Sequence, residues 1–357
     1  MTTLHETAER ILAHHREAGT PEAERARAAV ADHLTSLGYT VSLQRFRFHP
    51  SALLGMPILG AGIGAAALLA LPLLTLPAVP AAGALAVWAI MLLATICLAV
   101  GVGAGWLTFG EAREDANLVA VRPQAPVRRW IVAHLDTKAQ AQSMAGRLVA
   151  IWTLAAAITV TGAVAVARLW GPIPPALGTA GVALAVLAGA LAGRGRLRGT
   201  SRGARDNGSG VIAALAFAEA SADEGSGVLI TGGEEFGLVG ARVFAGAQGS
   251  LEGIDVVNID TIDDHGLLFV VSHDPRGAGA AAGVAAQLRP LGLPVRTRRL
   301  PLGILVDSLP LARAGARAVT VGRLTWRTLR VIHTPADVPE SLSLEPAERV
   351  GRAIAVN

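Results

Sequence analysis

From Phe48 to Gly110 the chain contains no aspartate, glutamate, lysine or arginine. A span of roughly 20 apolar residues is what an α-helix needs to cross the hydrocarbon core of a bilayer, and this run holds two of them. It is broken at Thr75-Leu76-Pro77-Ala78-Val79-Pro80, which predicts helices near Ser51–Leu74 and Ala82–Ala104. A second block, Leu148–Leu169 and Pro175–Gly193, is divided by Trp170-Gly171-Pro172-Ile173-Pro174 and reads as a second hairpin. Soluble domains rarely offer four such long, nearly uncharged runs. The 357 residues are 52% hydrophobic and only 16% charged, with a mean hydropathy of +0.48, and that apolar excess is local. It favours one soluble domain plus membrane helices over two soluble domains. The expected division is 1–50, 107–146 and 195–357 for the soluble domain, with transmembrane hairpins at 51–106 and 147–194.

The net charge of +4 comes almost wholly from arginine, and its placement argues against a nucleic-acid partner. Arg45 and Arg47 precede the first span, Arg113 follows the second, Arg147 precedes the third, and Arg194, Arg196, Arg198, Arg202 and Arg205 follow the fourth. The hairpin tips carry no comparable cluster, so the positive-inside rule predicts a multi-pass cell-membrane protein with both termini and the soluble domain in the cytoplasm. Such a basic belt also favours anionic lipid. Trp106 and Trp170, near span ends, suit an interfacial belt, whereas Trp88 and Trp152 are expected to pack between helices. The single cysteine, Cys97, falls inside a span and excludes an intramolecular disulfide. The first apolar run begins only after Pro50, so the first membrane helix is expected to direct insertion in place of a cleavable signal.

Outside the hydrophobic blocks, five short motifs supply imidazoles and carboxylates, the nitrogen and oxygen donors that suit Zn²⁺ at a catalytic site. They are His134-Leu135-Asp136, Asp206-Asn207-Gly208-Ser209-Gly210, Glu234-Glu235, Asp260 and His333. Each alone is ordinary; their order is not. Together with Arg16-Glu17-Ala18-Gly19-Thr20-Pro21, Gly38-Tyr39-Thr40-Val41, Glu234-Glu235-Phe236-Gly237-Leu238-Val239-Gly240, Asn258-Ile259-Asp260 and His333-Thr334-Pro335-Ala336-Asp337, the spelling resembles the twenty-eighth metallopeptidase family. That zinc peptidase family includes bacterial leucyl aminopeptidases, aminopeptidase Y and glutamate carboxypeptidase. The resemblance covers nearly all of the chain outside the hydrophobic blocks.

The resemblance implies two Zn²⁺ ions, with Asp206 bridging them, His134 and Asp260 completing one site, and Glu235 and His333 the other. It implies Glu234 as general base in peptide-bond hydrolysis by a metal-activated water. Asp136 would accept the second ring N–H of His134 and fix its tautomer. Family members often hold a cis peptide after the bridging aspartate, here Asp206-Asn207. Where the family often has a tyrosine before the last histidine, this chain has Ile332, and its only tyrosine is Tyr39. The segment Val306-Asp307-Ser308-Leu309-Pro310-Leu311 stands loosely in the place of a family segment near the substrate pocket. Asp263 and Asp264 are expected in a solvated loop, with contact to a substrate amine as the lesser alternative.

Strands at Val41–Phe46, Leu118–Val121 and Trp130–Ala133, with later helices and strands supplied by Val211–Glu219, Val228–Thr231, Ile254–Asp260, Leu267–Val271, Ala278–Leu288, Ala318–Val321 and Leu344–Ile354, fit a three-layer α/β/α sandwich with a mixed central sheet, interrupted by the two transmembrane hairpins. Thr20 can cap a helix that has Pro21 at its first position and that Gly38 closes. If the first three strands form a meander, both hairpins leave from the sheet edge that carries the metal ligands, and the active site is expected to face the membrane. The reading favoured is a membrane-integral aminopeptidase acting on a peptide substrate. The alternatives are a related amidohydrolase, of carboxypeptidase or glutaminyl cyclase type, and a non-catalytic membrane scaffold; intact ligand positions disfavour the last. The spans hold no acidic residue to mark an ion path, which weighs against a transporter.

Overall fold

The computed structural model describes residues 3–76, 79–301 and 303–356. Pro77 and Ala78, in the predicted break of the first hairpin, lie outside the described residues. In chain order the elements are α1 (Leu4–Leu12), α2 (Pro21–Ser36), β1 (Thr40–Phe48), α3 (Gly55–Thr75), α4 (Ala81–Gly103), β2 (Arg113–Val121), β3 (Arg129–His134), α5 (Met144–Ala167), α6 (Pro175–Gly193), α7 (Ser209–Ala220), β4 (Ser226–Thr231), α8 (Val239–Gln248), β5 (Asp255–Ile262), β6 (Leu267–Ser272), α9 (Arg276–Leu288), β7 (Val295–Arg299), α10 (Ser308–Arg313), β8 (Arg317–Leu324), α11 (Trp326–Val331) and α12 (Glu345–Ala355). They form two compact units, one of Met1–Phe48, Ala112–Ala139 and Gly199–Asn357, the other of His49–Glu111 and Gln140–Arg198. Residues 140–146 fall in the second unit, where Gln140 pairs with Leu197 as an isolated antiparallel bridge; the sequence division had left them with the first.

The first unit is an α/β fold built on an eight-stranded mixed sheet of order β1-β2-β4-β3-β5-β8-β6-β7. Strands β4, β3, β5 and β8 run parallel, and β2 and β6 run against them. The alternation of a strand sorts its side chains to two faces. Ile131, Ala133, Val228 and Ile230 bury with α1, α2, α7, α9 and α12 on one side, and Trp130, Val132 and Leu229 with Phe244 of α8 and Leu311 of α10 on the other. Helix α7 is buried along almost its whole length, because Val211 to Ala218 offers only small or apolar side chains. Thr20 caps α2 through Ala23 N–H at 3.3 Å, and Gly38 follows the helix at φ +85°, a left-handed conformation that glycine adopts without steric cost.

The expected meander is corrected: β4 inserts between β2 and β3, so β2 and β3 are not neighbours. The directions survive the correction. Strand β2 is antiparallel to both β1 and β4, and β4 is parallel to β3, so the end of β1, the start of β2 and the end of β3 lie on one sheet edge. Parallel strands buried on both faces present their carboxyl ends as a row of loops, the usual place for a site in an open α/β sheet. Here the same edge carries His134 after β3 and Glu234-Glu235 after β4.

In the second unit, α3 to α6 give four helices long and apolar enough to cross a membrane, at Pro50–Leu73, Ala81–Gly103, Met144–Ala167 and Pro175–Gly193. Small residues set the closest approach. A Cβ on Gly189 of α6 would lie 2.8 Å from the Gly60 carbonyl oxygen of α3, so glycine is what lets those two backbones meet. Trp88 packs beside Gly162, as expected of a packing residue. Trp152 does not: it is 59% exposed and turns outward from α5 with Val149 and Val160.

Candidate metal centre

Strand β3 delivers His134 at its last position, and the ring is fixed at once. Its Nδ1 lies 3.0 Å from the Asp136 carbonyl oxygen, which can only accept, so Nδ1 carries a proton and Nε2 is the ring nitrogen turned toward the carboxylates. Nε2 faces Asp206 Oδ1 at 3.2 Å and Asp260 Oδ1 at 3.9 Å. On the other side of Asp206, His333 Nε2 lies 3.0 Å from Oδ2 and 3.5 Å from Glu235 Oε1. One carboxylate thus points an oxygen at each of two imidazoles. His333 sits at φ +65°, a conformation that costs a non-glycine residue and is kept where surrounding structure imposes it.

Backbone staples hold these loops. The Asp206-Asn207 peptide is cis. Asn207 Nδ2 donates to the Ile259 carbonyl at 2.8 Å, and its Oδ1 accepts from Gly210 N–H and Thr261 N–H, both at 3.0 Å, tying the Asp206 loop to the Asp260 strand. A side chain at Gly210 would collide with Asn207 and with the Ile259 carbonyl. Asp337 accepts from Arg205 N–H at 3.0 Å and Asp206 N–H at 3.1 Å, which explains the aspartate four residues after His333. Arg16 is fully buried and donates to the carbonyls of Leu135, Arg202 and Gly203, clamping the loop after β3 to the loop that leads into Asp206. Burial lowers its guanidinium to about 10, against the pull of Asp337, Asp136 and Asp206, so it stays charged at neutral pH.

The role expected of Asp136 changes. Its carbonyl, not its carboxylate, takes the His134 ring N–H; the carboxylate lies 3.8 Å from Nδ1 and accepts instead from Glu234 N–H at 3.0 Å and Glu235 N–H at 3.1 Å. Two backbone donors engage it because the Glu234-Glu235 turn leaves those N–H groups free for a buried acceptor. Asp136 therefore fixes where both glutamates start. Burial pushes its carboxyl up to about 7.

The carboxylates sort by environment. Burial, reinforced by the Glu235, Asp307 and Asp260 charges, pushes Glu234 well above the usual carboxylate range, although His134 pulls the other way. Burial alone would raise Asp206 too, but its hydrogen bonds to His134 and His333 and their charges hold it far below. Two buried carboxylates pushed apart in this way fit a proton carrier and a permanent anion respectively.

The donor set suits divalent metal. His134, Glu234 and Asp260 bring ligand atoms within 4.8 Å of one another, and so do Asp206, Glu235 and His333. Glu235 Oε1 is buried with no hydrogen-bond donor, the state expected of an oxygen shaped to meet a cation. The third acidic group, Asp263, Asp264 and His265, is different. Asp263 is neither solvated nor free for a substrate amine: it is buried, accepts from Arg205 Nε at 3.2 Å and from Thr328 Oγ1 at 2.5 Å, and so secures the loop after β5.

Two further residues at the centre escape sequence reasoning. Lys138 is buried and donates to Glu235 Oε2, with no neighbour in sequence to announce it. Asp307, fully buried, accepts from Thr231 Oγ1, and burial raises it to about 6; the loosely matching segment from Val306 was its only signal.

Known proteins share this arrangement of elements. An aminopeptidase from Aneurinibacillus sp. strain AM-1 is 16% identical, matching over 98% of this chain and 92% of that one with a TM-score of 0.55. The Fimbriiglobus ruber glutaminyl cyclase is 15% identical, over 99% and 94%, at 0.56, and the Legionella pneumophila LapA aminopeptidase 14% identical, over 99% and 70%, at 0.54. At these identities the likeness is one of fold. No curated protein matches the chain by sequence. Residues 186–357 match the model of Peptidase family M28, a stretch that takes in Asp206, Glu234, Glu235, Asp260 and His333 but not His134 or Asp136, so the carboxy-terminal part of this chain joins that family's sequence pattern to a fold shared with aminopeptidases and glutaminyl cyclases.

Proposed function

We propose that the protein is a membrane-integral, zinc-dependent metallopeptidase that removes amino-terminal residues from peptides. The observation that carries this reading is Asp206, whose two oxygens face His134 Nε2 at 3.2 Å and His333 Nε2 at 3.0 Å, the layout of a carboxylate shared between two cations. His134, Asp206 and Asp260 would hold one Zn²⁺, and Asp206, Glu235 and His333 the other. The ions would supply Lewis acidity and a water acidic enough to be deprotonated near neutral pH. Glu234 takes the proton from the attacking water and passes it to the leaving amine. Asp136 holds Glu234 and Glu235 by their backbones, so that one reaches the attacking water while the other stays on the metal side.

The glutaminyl cyclase reading is kept because cyclase folds match as well as aminopeptidase folds. Incubating the purified full chain with peptides that begin with leucine and with glutamine separates the two. Free amino-terminal residues from the leucine peptides are expected; loss of ammonia from the glutamine peptide with no cleavage of either would overturn the peptidase reading in favour of cyclisation.

The arginine flanks and the four apolar helices support a multi-pass membrane protein with its catalytic unit in the cytoplasm. A cysteine introduced at Pro172, between α5 and α6, is expected to react with an impermeant reagent in intact cells. One introduced at Glu340 is expected to react only after lysis. The reverse pattern would contradict the orientation.

A further inference from the structure

Lysine is among the residues least often fully buried, and a buried one close to candidate metal ligands needs a reason. Lys138 lies at the end of a firmly held loop. Thr137 N–H donates to the Arg16 carbonyl at 3.0 Å, Arg16 N–H donates to Thr137 Oγ1 at 3.1 Å, and Thr137 Oγ1 donates to the Ser201 carbonyl at 3.0 Å. The lysine side chain is 2% exposed and its ammonium pairs with Glu235 Oε2. The other oxygen, Oε1, has no hydrogen bond and lies 3.5 Å from His333 Nε2. Glu235 is thereby divided: one oxygen is committed to an internal cation and one is left for metal. No lysine or arginine is paired with Asp206 or Asp260 in the ion pairs of the described residues; their partners there are histidines.

We propose that Lys138 makes the two metal positions unequal, so that the position at His134, Asp206 and Asp260 fills first and tightly, and the position at Asp206, Glu235 and His333 fills second and weakly. Two effects act in the same direction. An ammonium on Oε2 removes that oxygen as a donor, so Glu235 gives the metal one oxygen where it could have given two. It also sets a positive charge beside the place a dication would take, in a buried region where screening is weak. Losing an orienting hydrogen-bond partner of a ligand weakens metal binding by about 10–100-fold; a competing ammonium acts with the opposite sign, and the same range sets the scale of its effect. Lys138 is a positioning residue here, because it acts through Glu235, the side chain its ammonium pairs with.

This rests on the two-metal reading above, and the test separates the two. The full chain in detergent, stripped of metal, is titrated with Co²⁺, following heat and the visible absorption of the bound ion. Wild type is expected to bind in two steps separated by at least about 10-fold in affinity. Lys138→Met is expected to tighten the second step by about 10–100-fold and leave the first unchanged. Lys138→Gln keeps a donor to Glu235 without the charge and is expected to tighten it less; Lys138→Arg keeps the charge and should preserve the gap. Should the methionine variant fail to fold, the glutamine and arginine variants decide the matter by the same comparison. Two equal steps in wild type, or a second step that does not move when the charge is removed, would overturn the role given to Lys138 and leave the two-metal reading intact. Absence of any Co²⁺ binding to wild type would overturn the two-metal reading itself.

Discussion

Glu234→Gln is expected to lower peptide hydrolysis by about 10²–10⁴-fold, the range a positioned general base contributes, with metal content unchanged. Glutamine keeps the shape of the side chain, so Asp136 still receives the Glu234-Glu235 backbone N–H groups and both loops stay in place. What is lost is the carboxylate, which burial holds well above its usual range, and with it the group that exchanges the proton. The competing role is that of a ligand, because Glu234 shares a 4.8 Å cluster with His134 and Asp260. Elemental analysis beside steady-state kinetics distinguishes them: a ligand would take metal with it when replaced, and unchanged activity would remove Glu234 from the mechanism altogether.

The second large effect concerns the shared carboxylate. Asp206→Ala is expected to empty both positions, since its oxygens face the two histidines separately and each cluster would be left with fewer anionic donors. Activity should fall below detection. The fold should survive, because Asp337 holds residue 206 through its backbone N–H and Asn207 ties the loop to β5, and neither contact uses the Asp206 side chain. A stably folded Asp206→Ala protein that retains two ions per chain would show that Asp206 bridges nothing.

The parts of this chain that were legible in its sequence share one property: their pattern is imposed by burial or by chemistry local to a few residues. The apolar helices announce themselves because each is a long run with almost no charge, and β3 and β4 do so because strands covered on both faces are largely apolar. Strand β7 was missed for the converse reason. Val295-Arg296-Thr297-Arg298-Arg299 pairs with β6 at the sheet edge, leaves most of its side chains exposed, and carries three arginines, of which Arg298 lies over Phe269, so no apolar alternation marks it. The insertion of β4 between β2 and β3 was equally silent, since strand order is settled by contacts distant in sequence. At the site, the structure brings together His134, Asp206, Glu235, Asp260 and His333, the candidates that motif order singles out. Lys138, Asp307 and the changed part played by Asp136 were not, because each depends on which atom of a side chain or backbone meets a neighbour about 70–100 positions away.

The central claim is that metal held by these five residues drives peptide hydrolysis. It is tested most directly by assaying the purified full chain on an amino-terminal leucine peptide before chelation, after exhaustive chelation, and after Zn²⁺ is returned. The account predicts activity that disappears with the metal and returns with it, together with two zinc ions per chain at saturation. Undiminished cleavage by protein shown to hold no metal would contradict it.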